Sequence, residues 1–200
     1  MAYLGKGGQI PYLSKSKIIV EVENLLEECW RKKFPVDVEE ICDSLGINII
    51  PIPNLYRIFS IDAYISSDFK TIYVDNSGFE KNTSRYRFSV AHELGHWTLH
   101  KNHYPKNVAN VNDWLTISQK INSDYAEFQA NYFAGNLLVP EMELGQVLND
   151  AFGGSFAKNY WNASIGEKEK ILMKIKNHFG VSNDVIARRI MDVFPGVGEG

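Results

Sequence analysis

The stretch Phe88-Ser89-Val90-Ala91-His92-Glu93-Leu94-Gly95-His96-Trp97 contains the pattern H-E-x-x-H. On a helix of about 3.6 residues per turn, His92 and His96 project from one face, one turn apart. Two imidazoles so placed can converge on one Zn²⁺ at roughly 2.0–2.1 Å each. Glu93 lies beside that face, within reach of water at the ion without being a ligand, where a general base for hydrolysis has to stand. Five positions alone are weak evidence. Their place inside an apolar helix, with an acidic ligand downstream, makes them specific against the alternative of two histidines on a solvated face.

A catalytic zinc needs a third protein ligand and one open position. His100 is four residues beyond His96, but eight residues from His92 amount to about 12 Å of helix rise, too far for one ion to bridge. A structural or supporting role behind the ligands is expected for it. The histidine that would extend the motif six residues past His96 is absent, since position 102 is Asn. Glu127 is the preferred third ligand, with Asp124 the rival, although Asp124 also suits a helix N-cap. Asn131, one turn after Glu127, is a candidate to accept a hydrogen bond from the remote N–H of a ligating histidine. Tyr125, Tyr132 and His100 are candidates to support an oxyanion, with no ground to choose among them.

Two closely packed helices must hold these groups. The first is expected from caps at Asn82, Thr83 or Ser84 to about His100, and the second from Ser123 or Asp124 to about Leu138. Ala126, Ala130 and Ala134 repeat at four-residue intervals on the second, a small-residue stripe that permits close approach, and Glu127 sits beside it.

Upstream, a helix is expected over 14–31 from Ile18, Val22, Leu25, Leu26, Cys29 and Trp30. A short one follows, capped by Asp37 and closed by Gly46. Strands are expected at 48–51, 61–66 and 71–75, the last two joined by a turn at Ser66-Ser67-Asp68. The strand Thr71–Asp75 either offers an edge to an extended peptide or packs as an ordinary sheet strand. Residues 102–121 read as polar and irregular, and 151–164 as a loop. Pro140 opens a short helix, and two more over 167–179 and 183–193 close the chain.

The 200 residues are 44% hydrophobic and 12% aromatic, enough for a real core. A net charge of −3 and a pI near 6.0 give no overall pull toward nucleic acid or anionic membrane. Cys29 and Cys42 match no metal spacing and read as buried thiols, with a disulfide between them as the alternative. The N-terminal residues lack the apolar core of a secretory signal, and no run approaches the roughly 18 apolar residues of a membrane span, so a cytoplasmic protein is expected.

The combination is similar to a known family. Residues 87–96, then Glu127-Phe128-Gln129-Ala130-Asn131-Tyr132-Phe133-Ala134 running on to Leu137-Leu138-Val139-Pro140, resemble the ImmA/IrrE-type metallopeptidases. So do Phe34-Pro35-Val36-Asp37-Val38, Ile72-Tyr73-Val74-Asp75 and the closing Phe179-Gly180-Val181-Ser182 with Arg188-Arg189-Ile190. The resemblance spans about residues 20–192. It implies an α+β, zincin-like fold, mostly helical, with a small antiparallel or mixed sheet packed on the H-E-x-x-H helix. It also implies one Zn²⁺ with a glutamate as third ligand, and site-specific cleavage of a helix-turn-helix repressor, often on a mobile element. The expected division is a flexible arm at 1–13, a metallopeptidase core at 14–150, a helix-turn-helix-like helical pair at 151–195 packed on it, and a tail at 196–200.

Two other functions compete. The closing helices, with Lys168, Lys170, Lys174, Lys176, Arg188 and Arg189, suggest a DNA-binding transcription regulator. Against it, Glu167, Glu169, Asp184 and Asp192 dilute the charge, and Val185, Ile186 and Ile190 resemble a core face. The third reading is a non-catalytic repressor-binding or toxin–antitoxin partner.

Overall fold

A computed structural model describes residues 10–195 except 82, 106, 107, 109, 110, 122, 123 and 155. The expected caps at Asn82 and Ser123 lie outside the described residues. The first helix, α1 (Lys15–Cys29), starts where the Ser14 side chain accepts from the Lys17 N–H and buries Ile18, Val22, Leu25 and Leu26. The second, α2 (Val38–Ser44), is capped by Asp37, whose carboxylate accepts from the N–H groups of Glu39 and Glu40. Gly46 follows at φ +68°, the left-handed conformation that ends a helix at low cost in glycine.

Three strands follow: β1 (Asn48–Ile52), β2 (Ala63–Ile65) and β3 (Thr71–Asp75), with the short helix α3 (Leu55–Phe59) after β1. Their order is β1-β3-β2; β1 runs parallel to β3 and β2 antiparallel to it. The sheet is therefore mixed. The turn from β2 to β3 is held by Asp68, which accepts from Ser66 Oγ and the Lys70 N–H. Thr71–Asp75 is not an edge. It is paired on both sides, with Ile72 and Val74 buried, and the very short β2 is the edge that meets the helices.

After α4 (Asn76–Lys81) comes α5 (Thr83–His100), which carries H-E-x-x-H, and later α7 (Asp124–Leu138), which carries Glu127. Their seam is unusually close. A Cβ on Gly95 would stand 3.0 Å from Ala130 Cα and 3.1 Å from the Ala130 carbonyl oxygen. Ala126, Ala130 and Ala134 are all fully buried, as the small-residue stripe requires. Arg87 ties α5 to two distant segments, donating to the carbonyls of Val36 at 2.7 Å and Gly180 at 3.1 Å.

Two expectations fail here. Within 102–121 there is a helix, α6 (Val111–Ile121), anchored by the buried Trp114. Val111, Trp114, Leu115 and Ile121 recur at helical spacing on it, a pattern that the polar residues before α6 obscure. The stretch 151–164 is no loop: α8 (Glu141–Ala151) runs into it, and α9 (Phe156–Asn162) occupies most of the rest. Gly153 and Gly154, both at positive φ, make the only break between those two helices among the described residues. Phe152, Phe156 and Tyr160 pack edge to face at four-residue spacing, a helical pattern that the glycines mask.

The chain closes with α10 (Ile165–Phe179) and α11 (Asn183–Val193). A capping box of Ser164 and Glu167 opens α10, and Ser182 caps α11. Val90, Ala91 and Leu94 of α5, Phe133 and Leu137 of α7, Leu144 and Leu148 of α8, and Ile175, Phe179 and Ile186 from the last two helices belong to one hydrophobic core. Each large apolar side chain fully buried there contributes on the order of 1.5–3 kcal/mol before chain entropy is counted. Among the described residues no helix is long and apolar enough to cross a membrane.

Candidate metal and active site

One turn apart on α5, His92 and His96 bring their Nε2 atoms to 3.0 Å from each other. From α7, Glu127 reaches both: Oε2 lies 3.3 Å from His92 Nε2, and Oε1 lies 3.5 Å from His96 Nε2. Donors at about 2.0–2.1 Å around a tetrahedral ion stand roughly 3.3 Å from one another. The three spacings match, so the residues present fit a single divalent ion. Among the described residues these three form the only group of histidine, cysteine and acidic side chains that converges in this way. The rival Asp124 begins α7, and its side chain lies outside the described residues.

The outer ring nitrogens are also held. His92 Nδ1 is 3.1 Å from Asn131 Oδ1, an acceptor, so the proton sits on Nδ1 and the lone pair on Nε2. His100 lies behind His96, with Nδ1 3.0 Å from His96 Nδ1 and Nε2 2.9 Å from Gln129 Oε1. Burial pulls the His100 imidazole down to about 4, against the Gln129 hydrogen bond. Its position, against the ring nitrogen that faces away from Glu127, is that of a support.

Glu93 is buried, and its Oε2 accepts from the Ile65 N–H of β2 at 2.9 Å. Burial raises its carboxyl above the usual range, with the charges of His96 and His92 opposing. A raised carboxyl suits proton transfer near neutral pH. Burial also lowers His92, yet the Glu127 hydrogen bond and the Glu93 charge outweigh it and raise that imidazole. For Glu127 burial works upward, but pairing with His92 and His96 when those rings are protonated prevails and holds its carboxyl well below the carboxylate range.

These groups open onto a cavity of about 260 Å³ walled by β2, Tyr104 and one face of α6. Trp114 Nε1 donates to the Ile65 carbonyl at 2.6 Å, so both backbone polar groups of Ile65 are engaged at the site. Of the oxyanion candidates, Tyr125 is largely exposed and packs edge-on against Tyr12, Tyr132 lies under Lys15, and His100 is enclosed. None of the three lines the cavity, whereas Tyr64 and Tyr104 do. Motif spacing could not have found Gln129, Trp114 or Ile65, because each acts across long chain separations. A larger cleft of about 700 Å³ between α5, α7 and α11 borders Asn131 but none of the three converging side chains.

The closing helices are less suited to nucleic acid than their charges suggest. Arg189 is buried, with Nε donating to the Val139 carbonyl at 3.1 Å, and Ile186 and Ile190 face the core. Both cysteines are free thiols; burial pushes Cys42 up to about 12.

No curated protein matches the chain in sequence. Among solved structures, a Mycobacterium tuberculosis transcriptional regulator superposes with a TM-score of 0.57 at 16% identity, over 90% of this chain and 47% of that one. That likeness is one of fold, and this chain spans about half the length of that protein. The family model for the IrrE N-terminal-like domain matches residues 42–191, three quarters of the chain and the whole of the site. The chain therefore belongs to the IrrE N-terminal-like peptidase family, and its domain is of the metallopeptidase type.

Proposed function

We propose that the protein is a zinc-dependent metallo-endopeptidase that cuts a DNA-binding transcriptional repressor at a specific site, in the cytoplasm. The observation that carries the reading is the meeting of His92, His96 and Glu127 around one point, with the buried Glu93 carboxylate on the wall of the same cavity. In this reading those three side chains hold one zinc ion, and residues 151–195, with α9 added to the expected closing pair α10 and α11, pack on a catalytic core at 14–150. The repressor as substrate rests on the family resemblance and on the regulator among similar folds.

When bound, zinc supplies Lewis acidity toward the scissile carbonyl and makes water easier to deprotonate. Glu93 takes the proton from water as its oxygen adds to the carbonyl carbon. It then gives that proton to the departing amine nitrogen as the C–N bond breaks. The Ile65 N–H keeps one Glu93 oxygen fixed, so the other is free to work. Asn131 keeps the His92 proton on the ring nitrogen remote from the ion.

Co-expression with the repressor-like protein encoded nearest to it tests this. Wild type should shorten the repressor and Glu93→Gln should not. A repressor bound but uncut by both would favour a non-catalytic binding partner.

A further inference from the structure

The hydrogen bonds behind His96 begin outside the stretch that the family model matches. Gln129 Nε2 donates to the Pro11 carbonyl at 3.0 Å. The reverse amide orientation would set two carbonyl oxygens face to face, so Oε1 points the other way, toward His100. There it accepts from His100 Nε2 at 2.9 Å. A neutral imidazole carries one N–H, which leaves His100 Nδ1 as an acceptor. His96 Nδ1, 3.0 Å away, must then donate to it; Tyr104 Oη, at 3.4 Å, is the longer contact on that nitrogen. With its proton on Nδ1, His96 keeps a lone pair on Nε2, the atom that faces His92 and Glu127. Gln129 and His100 are fully buried, so bulk water cannot replace a missing partner.

We infer that Gln129, anchored on the Pro11 carbonyl, is a positioning residue that fixes the tautomer of His96 and so sets the metal affinity of the site. This rests on the reading of His92, His96 and Glu127 as metal ligands. Gln129 touches none of the reacting atoms; it acts through His100.

The test compares two variants of the full chain, Gln129→Met and Gln129→Glu. Zn²⁺ affinity is measured by competition with a chromophoric chelator, and the thermal midpoint is taken separately in excess chelator. Gln129→Met keeps the volume and removes the acceptor, and should weaken Zn²⁺ binding by about 10- to 100-fold, whereas Gln129→Glu, as the neutral acid that full burial favours, donates its O–H to the Pro11 carbonyl, keeps an oxygen for His100 and should stay within about threefold of wild type. If the chelated midpoint of Gln129→Met falls while Zn²⁺ affinity holds, the residue is merely structural and the inference is overturned. Equal weakening in both variants overturns it too. Should Gln129→Met not fold, His100→Gln and His100→Leu give the same contrast, since only the former can still accept from His96. Wild type that binds no Zn²⁺ would overturn the metal reading and this inference together; wild type that binds, with unaltered variants, overturns the inference alone.

Discussion

Gly95→Ala turns the closeness of the α5–α7 seam into a question of sign. In the middle of an exposed helix this change stabilises by about 0.8–1 kcal/mol, because alanine restricts the unfolded chain and favours the helix. At position 95 the new Cβ would meet Ala130 Cα at 3.0 Å, the Ala130 carbonyl oxygen at 3.1 Å and Phe133 Cβ at 3.3 Å. Carbon atoms pack best at about 3.5–4.0 Å, so the first contact is short by roughly 0.5–1 Å. The two nearest atoms are backbone and cannot rotate aside, so the helices must separate. Such overpacking costs about 1–3 kcal/mol against a helix gain of about 0.8–1 kcal/mol, which leaves a net loss of up to about 2 kcal/mol. For a chain of this size that is a fall of up to roughly 8 °C in thermal midpoint. The histidines stand on α5 and Glu127 on α7, so widening the seam also pulls the third donor outward and should weaken Zn²⁺ binding by about tenfold. Thermal unfolding in excess chelator, followed by Zn²⁺ competition, reads both effects. A midpoint above wild type would refute the reasoning and show instead that the seam accommodates the new Cβ, because only then can the propensity gain appear.

Other outcomes follow from the same geometry. Glu93→Gln should retain Zn²⁺ and lose about 10²–10⁴ of peptidase activity, checked by metal content and repressor cleavage side by side. Arg87→Met removes charged donors from the Val36 and Gly180 carbonyls and should cost about 1.5–3 kcal/mol in denaturant unfolding, with no change in Zn²⁺ affinity. His100 titrates near 4 in the fold against an ordinary value of 6.5. Its neutral form is the folded form, so the stability it contributes is complete above pH 6.5 and is lost as pH falls toward 4, by up to about 3 kcal/mol. Midpoints taken between pH 7 and 4.5 should therefore fall more steeply for wild type than for His100→Gln, and parallel curves would contradict the shift.

The parts of the site that lie within one helix are legible in the sequence. His92, Glu93 and His96 follow from a five-residue spacing, and the Ala126, Ala130 and Ala134 stripe points to the helix that brings Glu127 across. Asn131 falls out of the same periodicity, one turn on. What stays hidden depends on distant segments. The three-residue β2 is too short to announce itself as the edge beside α5, yet its Ile65 N–H holds Glu93. Trp114 sits on α6, where Val111, Trp114, Leu115 and Ile121 do recur at helical spacing, but the polar residues 102–110 that precede it obscure the pattern. Gln129 looks like an ordinary helix residue until the fold brings Pro11 to one end of its amide and His100 to the other. The family resemblance supplies the repressor as substrate class, which nothing in the spacing of residues reveals.

His92, His96 and Glu127 are proposed to hold one catalytic metal ion. Zn²⁺ stoichiometry and affinity, measured on purified wild type, Glu93→Gln, His96→Ala and Glu127→Ala, test it most directly. One Zn²⁺ per chain is expected in wild type and in Glu93→Gln, and affinity weakened by more than about 100-fold in His96→Ala and Glu127→Ala, beyond the range for residues that merely support a ligand. Wild type without Zn²⁺, or Glu127→Ala binding as tightly as wild type, would contradict it.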